Sequence, residues 1–415
     1  MSLVGKIRPQ LMSAETLTPQ GMTVVVAAVG ASAHLSGVSR HAANLVRCLL
    51  SRAEVSTVHF VVAPWQFDSL RSVLPFDDPR LRIHQVQVAC NAVARNLWYY
   101  NRLPLLAALL QADIVHLSYP APLNRAAFDC PVVVTLHDLY PYDIPANFGF
   151  PKMLFNRAIL KQCLHAADAI TCVSESTLLR LDVYAPGVAI QKAITIHNCV
   201  EPGPPMAAVS PLPSWEGEPF LLCVAQHRRN KNVVLAMQVF ERLLQANDLS
   251  SNARLVIVGI EGPETARIHR FIRNSGLTSR ITLLRGITDA ELEWCYGHCE
   301  LLLAPSIVEG FGLPIVEATL HHCRIVCSDI PAFREVGGSY CDYADLKLDP
   351  QQAFVKATRV ALKSPKFRVG KTDSFSGIRV AEAYLRLYMR LHHASARSNS
   401  IGRGKQIPTF TRGQL

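Results

Sequence analysis

Short apolar runs rich in β-branched residues recur along the chain, with apolar residues at helical spacing between them. Such runs are typical of buried parallel strands, which are covered by helices on both faces. They occur at Thr23–Val29, Val58–Ala63, Ile114–Leu117, Val132–Leu136, Ala169–Val173, Ile194–Ile196, Phe220–Ala225, Arg254–Gly259, Ile281–Leu284, Leu301–Ala304 and Arg324–Ser328. Helical patterns fill Val38–Leu50, Leu103–Leu110, Lys152–Ala166, Val233–Ala246, Thr265–Ser275, Asp289–His298 and Pro314–His321. The alternation predicts an α/β fold with doubly wound parallel sheets.

A proline-rich stretch at Glu201–Pro219 interrupts this alternation and is interpreted as a linker between domains. A chain of 415 residues is long enough for two domains. We therefore expect two Rossmann-like domains facing a central cleft, which is a favoured place for a ligand. The predicted division is an N-terminal extension at residues 1–22, a first domain at 23–203, a second at 204–372, an amphipathic helix at 373–394 and a disordered basic tail at 395–415.

Composition narrows the class of protein. Apolar residues make up 49% of the chain and charged residues 18%, which is typical of a globular protein. We find neither an apolar run long enough to cross a membrane nor a signal-peptide pattern, so we expect a cytoplasmic protein. The twelve cysteines form no Cys-x-x-Cys pair, which favours reduced buried thiols over a zinc site. The net charge of +10 suits anionic lipids or nucleotide phosphates, and no nucleic-acid-binding motif is present.

Residues 309–318, Glu-Gly-Phe-Gly-Leu-Pro-Ile-Val-Glu-Ala, combine two carboxylates with a predicted helix start. Gly310 and Gly312, which flank Phe311 and precede Leu313, let backbone N–H groups approach an anion, and the helix N-terminus favours a phosphate. Glu317 can accept hydrogen bonds from the hydroxyls of a ribose. The simpler alternative is a helix start with two solvated glutamates, Glu309 and Glu317.

Two further segments follow predicted strands. Arg228, Arg229 and Lys231 follow one strand, and their cations suit a diphosphate, although a solvated basic turn is the alternative. His137 and Asp138 follow another strand, at the edge where such folds place function. A lone histidine is, however, more often a buried structural residue.

The Glu-x7-Glu spacing around Gly-Phe-Gly-Leu-Pro resembles the retaining nucleotide-sugar transferases of the GT-B fold, glycosyltransferase family 4. The resemblance extends from about residue 23 to about residue 390. It implies that His137 lies beside the donor sugar, where it holds a hydroxyl or the nascent charge, and that Asp138 orients it or shapes the loop. It also implies that Glu309 faces the transferred sugar and that the last helix returns to the first domain.

Other parts of the motifs match less fully. The family's phosphate motif ends in Arg-Lys-Asn, but Asn230 stands where the arginine is usual, so Arg228 or Arg229 would supply that charge. Ala225 also replaces a usual glycine. The loop Gly30–Gly37 keeps one glycine of a usual pair, which makes Gly37 and Arg40 candidates for contact with the phosphate or the acceptor. Gly286 lies in Arg285-Gly286-Ile287, which resembles the family segment that packs against the nucleotide base.

We therefore expect a metal-independent glycosyltransferase that uses a nucleotide-diphosphate sugar, with mannose one candidate, and no cofactor. The expected acceptor is a saccharide or lipid-linked saccharide, with peripheral contact to the inner membrane face. The segment Arg95–Arg102 is a candidate for that contact or for the acceptor cleft, and the simpler alternative is an aromatic helix face in the core. No Asp-x-Asp motif for a diphosphate-bound cation occurs. The alternatives are a nucleotide-sugar epimerase or hydrolase and a non-catalytic scaffold. A Rossmann oxidoreductase is disfavoured because Gly-x-Gly-x-x-Gly does not follow Val24–Val29.

Overall fold

A computed structural model describes residues 21–71, 73–201, 209–213, 215–365 and 373–400, with side chains described as far as Arg397. Most of the predicted N-terminal extension, the middle of the predicted linker and the tail after residue 400 lie outside these ranges. The described chain forms two α/β domains, each built around one parallel sheet.

The first domain contains a seven-stranded sheet in the order β3-β2-β1-β4-β5-β6-β7, and all of its strand pairs are parallel. Its strands are β1 (Met22–Ala27), β2 (Val55–Val62), β3 (Leu81–Gln85), β4 (Ile114–Leu117), β5 (Val132–Leu136), β6 (Ala169–Cys172) and β7 (Ala193–Thr195). Its helices are α1 (Gly37–Leu50), α2 (Phe67–Arg71), α3 (Ala92–Asn101), α4 (Leu103–Leu109), α5 (Tyr140–Asp143), α6 (Lys152–Ala166), α7 (Glu175–Tyr184) and α8 (Pro186–Lys192).

The second domain repeats this plan with six parallel strands in the order β10-β9-β8-β11-β12-β13. Its strands are β8 (Phe220–Val224), β9 (Arg254–Val258), β10 (Ile281–Leu284), β11 (Leu301–Ala304), β12 (Ile325–Ser328) and β13 (Asp342–Ala344). The helices that follow in the chain are α9 (Val233–Gln245), α10 (Thr265–Asn274), α11 (Asp289–His298), α12 (Leu313–Leu320), α13 (Pro331–Gly337), α14 (Pro350–Lys363) and α15 (Gly377–Ser400).

The predicted class of two doubly wound parallel domains is confirmed, and most predicted elements lie within a few residues of the observed ones. The last helix, however, continues to Ser400, so residues 395–400 are helical and not part of a disordered tail. Two strands were missed, β3 and β13, and both lie at sheet edges. An edge strand buries fewer of its residues, and β3 alternates Leu81 and Ile83 with Arg82 and His84. Its sequence therefore lacks the continuous apolar run of a central strand.

The last helix returns to the first domain. Tyr384, Leu385 and Tyr388 of α15 are buried in the same core as Val24 of β1 and Leu45 of α1. The amphipathic pattern of the sequence predicted this helix, and its apolar face explains the packing because it would otherwise face water.

A second contact between the domains is polar. The carboxylate of Glu335 on α13 accepts hydrogen bonds from the backbone N–H groups of Glu175 and Ser176, at 2.8 and 3.0 Å. These groups begin α7 of the first domain and have no partner inside their own helix. Nε2 of His197 lies 2.7 Å from the same carboxylate. Burial opposes ionisation, but these three bonds hold the pKa of Glu335 below its usual value.

Among the helices in the described ranges, none combines the length and the apolar character that crossing a membrane requires.

Candidate active site

Several of the residues predicted for the site follow the carboxyl ends of strands, the edge where ligands bind in open α/β sheets. His137 and Asp138 follow β5 in the first domain. In the second domain, Arg228 and Lys231 follow β8, and Glu309 follows β11. The topology therefore brings segments that are far apart in the sequence to the junction between the domains.

The backbone of Gly310 lies close to the backbone of His137. A Cβ atom built at this glycine would overlap the backbone carbonyl of His137, so a residue with any side chain would separate the two segments. The carbonyl oxygen of Gly310 accepts hydrogen bonds from the hydroxyls of Ser174 and Thr177, the latter at 3.0 Å. The loop before α12 is thus held against the first domain through the backbone of Gly310, which contacts the backbone of His137 and two side-chain hydroxyls.

The start of α12 also depends on a glycine. Gly312 has φ of +110°, a conformation that favours glycine, and a Cβ there would lie 2.9 Å from the ring of Phe333. The helix begins at Leu313, one residue before the predicted start at Pro314. Phe311 is buried in the core of the second domain. A Cβ at Gly37 would lie 3.7 Å from Leu313, so the predicted loop of the first domain reaches this helix start.

Glu309 is buried between a cation and a hydroxyl. Its Oε1 atom lies 2.6 Å from Nζ of Lys231, and its Oε2 atom accepts a hydrogen bond of 3.1 Å from the hydroxyl of Tyr140. An ammonium group has three donors, so Lys231 can bind a phosphate oxygen while it stays paired with Glu309. The arrangement joins the cation predicted to bind the diphosphate to the carboxylate predicted to face the sugar.

Glu317 and Arg40 lie further along α12 and α1. The hydroxyl of Tyr296 donates a hydrogen bond of 2.8 Å to Oε2 of Glu317. Arg40 forms a two-pronged ion pair with Asp289, at 2.9 and 2.6 Å, which links the first domain to the start of α11. Arg40 was predicted to contact a phosphate or the acceptor, but the structure gives its guanidinium a carboxylate of the other domain as partner.

His137 is a neutral hydrogen-bonding group. Burial lowers the pKa of His137 to about 4, so the ring carries one N–H at neutral pH. Nε2 lies 2.8 Å from the carbonyl oxygen of Ser118, which can only accept, so this N–H is on Nε2. Nδ1 therefore keeps a lone pair. Such a ring can accept a hydrogen bond from a hydroxyl but carries no positive charge to offer.

Asp138 shapes the turn that follows. Its Oδ1 atom accepts a hydrogen bond of 3.0 Å from the backbone N–H of Tyr140, at the start of α5. Burial raises the pKa of Asp138 to about 6, and the nearby charge of Glu309 acts in the same direction, whereas Arg228 opposes it. Between the two roles predicted for Asp138, this bond favours shaping the loop that presents Tyr140.

The remaining predicted residues lie less centrally. Arg228 is partly buried near Asp138, whereas Arg229 is exposed. Asn230, at the position where an arginine is usual, is fully buried and accepts a hydrogen bond of 3.2 Å from Asn147. Of the two arginines, Arg228 is thus closer to the junction. Gly286 is exposed, has φ of +66°, and a Cβ there would meet no neighbour within 4 Å.

Sequence reasoning missed the groups that hold the predicted side chains. Tyr140 binds Glu309, Tyr296 binds Glu317, and Asp289 binds Arg40. Tyr140 follows His137 by only three residues, and this proximity was a usable signal. The other two contacts cross between separate helices, and a single sequence does not specify them. Within the described ranges, no three His, Cys, Asp or Glu side chains are grouped so as to hold a metal ion.

Comparison with known proteins identifies the class. Residues 35–203 match the model of "Glycosyltransferase Family 4", and residues 210–369 match that of "Glycosyl transferases group 1". Together the two matches cover most of the chain, which therefore belongs to this family of GT-B glycosyltransferases. The chain is thus a glycosyltransferase enzyme, and the epimerase, hydrolase and scaffold alternatives are not favoured.

Several proteins of known function that resemble this chain are mannosyltransferases. The chain is 23% identical to O-antigen chain mannosyltransferase B of Escherichia coli over 76% of this chain and 84% of that protein. It is 25% identical to O-antigen chain mannosyltransferase RfbU of Salmonella typhimurium, over 49% of this chain and 53% of that relative. Serotype-specific mannosyltransferase WbdA of Escherichia coli is 26% identical over 52% of this chain, but the match spans only 28% of WbdA.

Solved structures share the fold. Sucrose-phosphate synthase from Thermosynechococcus elongatus aligns with a TM-score of 0.62 at 16% identity, over 92% of this chain and 100% of that one. WaaG, a glycosyltransferase involved in lipopolysaccharide biosynthesis, aligns with a TM-score of 0.59 at 16% identity, over the same shares. At this level of identity the likeness supports the GT-B fold alone.

The Gly310 contact yields a test. Gly310→Ala should lower kcat/KM for sugar transfer about 10- to 100-fold, because overpacking costs ~1–3 kcal/mol and each ~1.4 kcal/mol is a factor of ten. Steady-state kinetics would measure the change, and circular dichroism would check that both domains remain folded. Gly297→Ala is the matched control, since a Cβ there meets nothing within 4 Å. Equal activity of the two variants would contradict the close approach.

Proposed function

We propose that this glycosyltransferase moves mannose from GDP-mannose to a saccharide or lipid-linked saccharide, with retention and without a metal ion. The observation that carries the proposal is the meeting of Lys231, Glu309 and Gly310 with His137 and Tyr140 at the domain junction. The named mannosyltransferase relatives support mannose as the sugar and a saccharide chain as the acceptor.

The donor would lie along the second domain. Its diphosphate would bind Lys231 and the N–H groups at the start of α12, with Arg228 as a further cation. Its ribose hydroxyls would donate to Glu317, and the base would pack near Gly286. These groups supply the positive charge that a divalent cation provides in other transferases, which supports a site without metal.

In the proposed reaction, the bond between C1 of the sugar and the diphosphate oxygen breaks as the acceptor hydroxyl oxygen bonds to C1 on the same face. The hydroxyl proton passes to the departing phosphate oxygen. Lys231 would stabilise the departing diphosphate more strongly as its negative charge grows, which accelerates the chemical step. The neutral His137 would accept a hydrogen bond from a sugar hydroxyl through Nδ1 and so orient the sugar ring.

Binding and turnover should separate in two variants. GDP or GDP-mannose in EDTA should raise the melting temperature of the wild type, because a ligand that binds only the folded state stabilises it. Glu317→Ala should lose most of this shift, whereas His137→Ala should keep the shift and lose turnover. Differential scanning fluorimetry and a transfer assay would measure the two effects.

Three other results would contradict parts of this proposal. A shift with UDP or ADP but not GDP would replace the proposed donor base. Loss of binding in EDTA would contradict the metal-free site. Unchanged binding and transfer in both variants would contradict the assignment of Glu317 and His137.

A lipid-linked acceptor would require contact with a membrane surface. The segment at Arg95–Arg102 combines features of two of its three predicted roles, the core helix and the membrane contact. Trp98 and Tyr99 are buried in the core, and the hydroxyl of Tyr99 accepts a hydrogen bond from Val29 N–H. On the exposed face of α3 and α4, however, several large apolar side chains are in contact with solvent, namely Val93, Leu97, Tyr100, Leu105 and Leu109. Together with the chain's excess of positive charge, this face would suit an anionic bilayer.

Vesicle flotation would test this contact. The wild type should float with vesicles that contain anionic phospholipid, and the double variant Leu105→Gln and Leu109→Gln should float several-fold less, because burying apolar side chains drives interfacial binding. Leu348→Gln is the control, since Leu348 is fully exposed on the second domain. Equal flotation of all three proteins would contradict a role for α4.

A further inference from the structure

Tyr296 and Glu317 form a buried pair next to the residues that the reaction uses. The hydroxyl of Tyr296 on α11 is 2.8 Å from Oε2 of Glu317 on α12. The carboxylate can only accept when ionised, so the tyrosine donates. Tyr296 is 2% exposed, and its ring stacks on that of His321 with centroids 5.8 Å apart and planes within 7°. Packing therefore fixes the direction of the hydroxyl.

This hydrogen bond restricts the orientation of the Glu317 carboxylate but leaves most of its acceptor positions open. A glutamate side chain has several rotamers, and holding one of its oxygens selects among them. An ionised carboxylate has about four acceptor positions, and Tyr296 occupies one. The others can accept the hydroxyls of a bound ribose. A carboxylate oriented before the ligand arrives binds more tightly, because its ordering cost has already been met.

The groups that shift the pKa of Glu317 come from two neighbouring helices, α1 and α11. Burial raises the pKa of Glu317, while Arg40 of α1 and the bond from Tyr296 act to lower it. Asp289 and Glu293 of α11 act to raise it. Tyr296 also lies near the thiols of Cys299 and Cys323, and its ring stacks on that of His321. Tyr296 is thus one of only two groups in this set that favour the ionised carboxylate.

We propose that Tyr296 is a positioning residue for the donor, whose hydroxyl holds the Glu317 carboxylate in the orientation that accepts the hydroxyls of a ribose. This inference rests on the proposed function, because it needs a nucleotide in the site. The competing explanation is that Glu317 merely satisfies a buried tyrosine hydroxyl. In that case loss of the hydroxyl would change stability but not the pH dependence of nucleotide binding.

The direction of the pH effect follows from the carboxylate. Glu317 accepts ribose hydroxyls when ionised, so binding is strong above its pKa and weakens as the pH falls through it. Removing the Tyr296 hydroxyl takes away a bond that lowers this pKa. The variant should therefore lose binding at a higher pH than the wild type.

Calorimetric titration of full-length wild type and Tyr296→Phe would test the inference, with GDP, UDP and ADP as probes at pH values from 5.5 to 8. Comparing the proteins at equal pH cancels the titration of the nucleotide phosphate. We expect the variant to bind about tenfold more weakly at pH 5.5 and about threefold more weakly at pH 8, the scale of a lost hydrogen bond to a charged group. Tyr384→Phe is the matched control, a buried tyrosine of α15 in the core of the first domain.

The outcomes separate the inference from the function on which it rests. A wild type that binds none of the three nucleotides would contradict the proposed function and this inference with it. A wild type that binds, with a Tyr296→Phe variant showing the same affinity and pH profile, would overturn the inference alone. A weaker variant whose affinity ratio to the wild type does not change with pH would also overturn it, since only positioning of an ionised Glu317 predicts that change.

Discussion

The close approach of Gly310 to the backbone carbonyl of His137 is the constraint on which the rest of the site depends. No side chain fits between the two segments, and the hydroxyls of Ser174 and Thr177 hold the Gly310 carbonyl from the first domain. Because Glu309 precedes this glycine directly, its carboxylate is brought beside Tyr140. One backbone contact thus brings the acidic loop of the second domain to the histidine of the first.

Charge is balanced locally around this contact. Lys231 neutralises Glu309 within the second domain, and Arg40 pairs with Asp289 across the junction. Partly buried ions without partners would be costly, so these pairs allow charged groups to be kept where water is scarce. A bound diphosphate would add negative charge beside Lys231, which keeps donor hydrogens to spare. The proposed departure of the diphosphate uses the same cation, with no proton transfer from the protein.

The apolar runs were sufficient to predict the fold, because nearly every central strand is buried on both faces and is therefore continuously apolar. The edge strands β3 and β13 escaped prediction because partial burial relaxes that pattern. At the site, strand ends pointed to His137 and Lys231, since topology brings such ends to one edge, and the Glu-x7-Glu pattern pointed to Glu309. The partners Tyr296 and Asp289 could not be found in this way. Their roles depend on how α11 lies against α12 and α1, which is a matter of packing between helices distant in sequence.

Hydrogen–deuterium exchange with and without GDP-mannose would test most directly whether both domains build one donor site. A donor site shared by both domains predicts slower exchange in three segments together, namely residues 137–140 of the first domain and residues 228–232 and 309–317 of the second. Protection requires these amides to be held more firmly when the ligand is bound. Protection confined to one domain, or to segments away from the junction, would contradict a donor site shared between Lys231, Glu309 and His137.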